Sequence, residues 1–193
     1  MRLLSSSIVI FALLATLSAQ TVRDGSLYQA PIDEYAVYDA VIARMFAENK
    51  VTFDFGGNVS VTLLVIENRT VSYPVREKLP TRSDARRSSY EETLMDYQTK
   101  NERPVTLGRL FNLRVDYVLV DSAESNQTAY EREGSEVHGI VSLSRVGFNP
   151  SHTAALVYMS YYCGGLCGHG FTFYLVKSGD KWKVDKITGM WIS

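Results

Sequence analysis

Apolar side chains recur at three- and four-residue spacings through Tyr35, Tyr38, Val41, Ile42, Met45 and Phe46. This period predicts a helix with one buried face. Pro31 stands at its entry, and Asp33 and Glu34 fall in the first turn, where carboxylates suit the positive end of the helix dipole. The aromatic stripe is read as core, because an amphipathic helix buries such a face. Val51, Phe53 and Phe55 then alternate with polar residues, Gly56-Gly57-Asn58 supplies a turn, and Val59 to Ile66 is rich in β-branched residues, so a β-hairpin is expected. Tyr73-Pro74 and Leu79-Pro80 break the chain before a second helical pattern. There Ser83 or Asp84 can cap, Tyr90, Leu94 and Tyr97 keep one face apolar, and Pro104 ends the run.

Beyond Pro104 the periods shorten. Val105 to Leu113 is a mixed connector, Arg114 to Val120 reads as a strand, and Ser122 to Gly134 is a polar stretch expected to form an exposed loop anchored by Tyr130. Gly139 to Arg145 alternates Ile140, Ser142 and Ser144 with Val141 and Leu143, which predicts a strand with one polar face, and Phe148-Asn149-Pro150 predicts a turn. Ala155 to Tyr162 and Phe171 to Lys177 suit a pleated, half-buried surface and are joined by an eight-residue loop, Cys163 to Gly170. After Ser178-Gly179-Asp180, Trp182 and Val184 face inward between Lys183 and Asp185, and Gly189 marks a bulge before Trp191. The fold class expected is α+β, an antiparallel sheet packed against two helices and closed by a C-terminal three-stranded meander. No repeat or low-complexity segment interrupts it.

A chain of 193 residues with 46% hydrophobic and 21% charged residues can bury one substantial core. The net charge of −1, with no basic cluster, argues against a nucleic-acid partner. Arg2 precedes an apolar run from Ile8 to Leu17 and then Ser18-Ala19, so residues 1–19 are read as a signal peptide, followed by a flexible leader over 20–30 and a single domain over 31–193. That run is short for a bilayer, and no membrane span is expected in the mature chain. Export to a periplasmic or extracellular compartment makes the three sequons at Asn58, Asn68 and Asn126 relevant only in a eukaryotic pathway.

Export also bears on the two cysteines, because an oxidising compartment permits a disulfide. Cys163 and Cys167 stand four apart at the neck of the glycine-rich loop, and the first reading is a disulfide between them. The second is a metal site, with Cys163, Cys167 and His169 as soft ligands and His138 or His152 as a fourth, although the spacing is not that of a zinc motif. The third is a pair of free or redox-active thiols. His169, Arg145 and His138 are the possible site residues; Arg145 and Asn149 are otherwise assigned to a structural turn. Neither a nucleophile elbow nor a phosphate-cradling glycine loop is present, and no cofactor is expected.

The run Gly139 to Asn149, the Ala155-Leu156-Val157-Tyr158 strand, the glycine loop, Gly179-Asp180-Lys181-Trp182-Lys183 and the ending Trp191-Ile192-Ser193 together resemble a group of exported bacterial proteins of unknown function. The resemblance covers roughly the last third of the chain, implying a bacterial, exported protein and no particular reaction. At fold level the final hairpin is also similar to domains of the nuclear transport factor 2 type, in which a curved sheet and helices enclose a pocket.

Three functions are consistent with these features. The first is a non-enzymatic binding or envelope-associated domain whose partner is a small molecule or a protein. The second is a small hydrolase or metal-dependent enzyme with its site near Cys163 to Gly170. The third is a pocket domain for a small apolar ligand, whose sign would be a large cavity lined by Tyr35, Tyr38 or Trp182.

Overall fold

The computed structural model describes residues 29–46, 50–53, 57–60, 63–75, 84–121, 137–162 and 168–192. The elements run α1 (Ile32–Met45), β1 (Lys50–Phe53), β2 (Gly57–Ser60), β3 (Leu63–Glu67), α2 (Asp84–Lys100), β4 (Asp116–Val120), β5 (Val137–Leu143), β6 (Gly147–Phe148), β7 (Ala154–Tyr162), β8 (Gly168–Ser178) and β9 (Lys181–Ile192). The class is α+β: among the described residues, two helices, a mixed sheet of mostly antiparallel strands, and the C-terminal meander β7-β8-β9.

The main sheet has the order β4-β3-β5-β7-β8-β9, with β6 added to β7, and β1 and β2 form a separate hairpin. The β-branched run from Val59 to Ile66, expected as one strand, is divided between them: β2 belongs to the hairpin and β3 to the main sheet. Two pairings are parallel, β3 with β4 and β3 with β5. Parallel neighbours need a long crossover, and the chain supplies one through α2 between β3 and β4. Alternation along a strand carries no information about direction, so this feature has no local signature.

Both faces of the sheet are covered. Ala155, Val157, Met159 and Tyr161 of β7 pack in one cluster with Tyr35, Val37, Tyr38, Val41 and Ile42 of α1. The alternate residues Ala154, Leu156 and Tyr158 pack in another cluster with Tyr90 and Tyr97 of α2. A strand buried on both faces is apolar at successive positions, which is the pattern of β7. The edge strand β9 instead alternates exposed and half-buried residues from Lys181 to Thr188. Its register slips between Gly170 and Thr172, opposite the step from Trp191 to Thr188, which places an irregularity around the predicted Gly189.

The connector after α2 is more ordered than its mixed composition implies. Val105, Leu107 and Phe111 are buried, and Thr70 N–H donates to the Val105 carbonyl while Leu107 N–H donates to that of Asn68. Ala30 N–H donates to the Thr106 carbonyl and Ala30 is buried, so the ordered domain takes in the end of the expected leader. The loop between β7 and β8 is shorter than eight residues, because Gly168, His169 and Gly170 already pair with Tyr162, Tyr161 and Ser160. Cys163 and Cys167 lie outside the described residues, as do residues 1–28, the expected loop 122–134, and the side chain of His138. Among the described residues no helix is long and apolar enough to cross a membrane.

Candidate functional site

The three residues proposed from sequence do not form one site. His169 lies on β8 with its ring parallel to that of Phe171, the centroids 6.3 Å apart, and its cross-strand neighbour Tyr161 meets Phe46 edge-to-face at the C-terminal end of α1. Arg145 lies at the other end of that helix, buried against Glu34. Twelve residues of helix separate Glu34 from Phe46, about 18 Å of rise. His138 is within β5 rather than before it, separated from β8 by β7.

Arg145 has a structural partner that accounts for its charge. Its Nε donates to Glu34 Oε1 at 2.9 Å and its Nη2 to the same oxygen at 2.6 Å. Glu34 Oε2 accepts from the Val146 backbone at 3.1 Å and from the Tyr38 hydroxyl at 2.8 Å. A guanidinium so enclosed is not available to a ligand. Asn149 likewise serves its turn: its Oδ1 accepts from the backbones of Thr153 and Ala154, both at 2.9 Å. Tyr35 and Tyr38 are core residues at 2% and 0% exposure, and neither lines the groove over α1.

Trp182 does line it. A groove of about 650 Å³ runs over the outward face of α1, from Asn112, Leu113, Arg114 and Val115 on one side to Asp180, Lys181 and Trp182 on the other. Its floor is the stripe of Ala36, Ala40 and Ala43, with Ile42 and Phe46 beneath. Four- and three-residue steps keep these alanines on one helix face, and their small side chains leave the space that the walls enclose. The indole of Trp182 is held by Phe148, with ring centroids 5.7 Å apart, and by Lys177 Nζ at 5.6 Å from its ring. The turn before it carries Gly179 at φ 60°, a left-handed conformation that glycine adopts without a Cβ penalty.

Of the two carboxylates that line the groove, Asp180 is exposed and Asp39 is half-buried. Asp39 Oδ1 accepts from the Asn112 backbone N–H at 3.0 Å, which ties α1 to the chain entering β4. Burial pushes the Asp39 carboxyl up to about 6, partly offset by the Asn112 hydrogen bond. No described residue forms an ion pair with it. Arg114, Asp180 and Lys181 are exposed at the rim. Among the described residues no group of histidine, cysteine and acidic side chains is arranged to hold a metal ion.

Of Tyr35, Tyr38 and Trp182, named from sequence as the lining that would mark a pocket, Trp182 lines the groove, and Asp39 was not named. The readable signal was Asp39 in the midst of Ala36, Ala40 and Ala43, a small-residue stripe on the polar side of a helix whose other side is aromatic. The second wall had no such signal, since it depends on where the connector passes. Compared with family models, with curated proteins and with solved structures, the chain finds no match.

Proposed function

We propose that this chain is an exported, non-enzymatic binding domain that takes a small, largely apolar ligand in the groove over α1. The observation that supports this most directly is the groove itself. It has the volume of a small-molecule site, an alanine and isoleucine floor, one aromatic wall and a half-buried carboxylate, Asp39, while the charged Arg114, Asp180 and Lys181 that also line it are exposed. The export part rests on the pattern of Arg2 and the apolar run Ile8 to Leu17. A hydrolytic reading has less support, because His169 and Arg145 lie at opposite ends of α1 and Arg145 is committed to Glu34.

Titration with N-phenyl-1-naphthylamine, a neutral apolar dye that brightens when it leaves water, tests the reading. Saturable binding at one site is expected. Ala43→Trp, at an exposed position of the floor, should abolish it while leaving the unfolding midpoint unchanged. Binding that survives in Ala43→Trp would overturn the groove as the site.

A further inference from the structure

We propose that the ligand is an amine, an apolar body ending in a protonated ammonium group that pairs with Asp39; this rests on the groove being the binding site. The chemistry of the lining selects this head group. Asp39 is half-buried, and only its Oδ1 is engaged, by the Asn112 backbone. Its second oxygen has no hydrogen-bond or ion-pair partner among the described residues, and Asp39 lines a cavity otherwise floored by Ala36, Ala40, Ala43 and Ile42. A carboxylate in such surroundings gains most from a donor that also supplies positive charge, because charge-assisted hydrogen bonds are the strong ones.

The alternative head groups fit less well. A carboxylate or phosphate placed in the groove would face Asp39 across an apolar floor, where like charges repel strongly. Arg114 and Lys181 can attract an anion only at the exposed rim, where ion pairs contribute little, and Asp180 lies beside them. A neutral hydroxyl can donate to Asp39 but brings no positive charge to offset that of the carboxylate. The carboxyl value of about 6 is consistent with this, since it reports a charge that burial disfavours and that an incoming ammonium would restore.

Three probes of equal length separate the head group from the body: n-octylamine, n-octanol and n-octanoate, each displacing N-phenyl-1-naphthylamine at about pH 7.5, where Asp39 and the amine are both charged. Octylamine is expected to bind roughly tenfold tighter than octanol, and octanoate more weakly than either. In Asp39→Asn, which keeps an oxygen for the Asn112 N–H, the preference for octylamine over octanol should fall below about twofold. Octanol equal to octylamine, octanoate the tightest, or a preference that persists in Asp39→Asn would each overturn the amine assignment and leave the groove standing. If the dye binds and none of the three displaces it, the amine assignment fails; if the dye itself does not bind, both fail. The wild-type series decides between these outcomes even if the variant does not fold.

Discussion

Arg145 and Glu34, 111 residues apart, meet as a buried pair in which the guanidinium uses two nitrogens, with the arginine side chain 7% exposed and the carboxylate 0%. The contact fixes the first turn of α1 to the corner between β5 and β6. Its geometry explains how two charges persist in the core, since four donors converge on one carboxylate. Nε and Nη2 of Arg145, the Val146 N–H and the Tyr38 hydroxyl all point to it. The Arg145 backbone is held in turn by Asn101, whose Oδ1 accepts from its N–H at 2.8 Å and whose Nδ2 donates to its carbonyl at 3.1 Å.

Removing one partner is therefore expected to be far worse than removing both. Arg145→Met leaves the Glu34 carboxylate buried with no cation and should cost about 3–5 kcal/mol, a large part of the stability of a typical domain. The double variant Glu34→Gln/Arg145→Met should recover much of that loss, because no isolated charge remains. Urea unfolding of the two variants checks the difference. Equal losses in both would mean that the pair acts by packing and not by charge.

Gly147 sits where α2 crosses β6 most closely. A Cβ there would meet the Thr93 carbonyl oxygen, the Tyr97 backbone nitrogen and the Tyr97 Cβ, all at 2.5 Å. Two of these are helix backbone atoms, which cannot turn aside as a side-chain tip can. Gly147→Ala should lower stability by about 1–3 kcal/mol through displacement of α2. The same substitution at Gly179, where nothing lies within 4 Å of a Cβ, is disfavoured only by its φ of 60° and should cost less. Unfolding midpoints of the two variants give the comparison, and a milder effect at Gly147 would contradict the close packing of α2.

The turn after β6 depends on one amide. Asn149 Oδ1 takes two backbone N–H groups, and its Nδ2 lies within reach of Ser89 Oγ, Ser151 Oγ and Thr153 Oγ1, at 3.1, 3.0 and 3.0 Å. Asn149→Ala strips the acceptor from two donors and should cost about 1–3 kcal/mol. Asn149→Asp keeps the acceptor and loses the donors, so it should fall between wild type and alanine. Hydrogen exchange at the Thr153 and Ala154 amides reports the site directly: faster exchange in alanine than in aspartate is expected.

What the sequence made legible follows from which interactions are local. α1 was readable because its stripe from Tyr35 to Phe46 faces one core, and β7 to β9 because two turns separate three runs rich in strand-forming residues. Asn149 was readable as a turn residue for the same reason. The parallel pairing of β3 was not readable, since its partners lie 53 residues away in β4 and further still in β5. Arg145 was open to two readings, a possible site residue or a structural turn residue, because nothing near it in sequence announces Glu34. The groove shares this character. Its floor is one helical stripe that could be read from Ala36 to Ala43, but its walls come from residues 112–115 and 180–182, which only the fold brings to α1.

The Asp39 carboxyl carries a stability signature of unusual sign. Most native carboxylates are held below their ordinary range, so proteins gain stability as pH rises through it. Here burial raises the carboxyl from 3.8 to about 6, so within that window the folded protein keeps a proton that the unfolded chain has released. The contribution of Asp39 is therefore least unfavourable below about pH 4 and becomes destabilising as pH rises to 6, staying so above it. Asparagine has no charge to bury. Asp39→Asn should leave stability nearly unchanged at about pH 3.5 and raise it above pH 6, by about 1 kcal/mol or less because solvent reaches half of this side chain and screens the effect. Urea midpoints of wild type and variant, compared at both pH values, measure the difference. A gap that stays constant across the range would show that Asp39 does not titrate there. A variant less stable at high pH would mean that its charge is already paired within the fold, leaving no ammonium to be sought from a ligand.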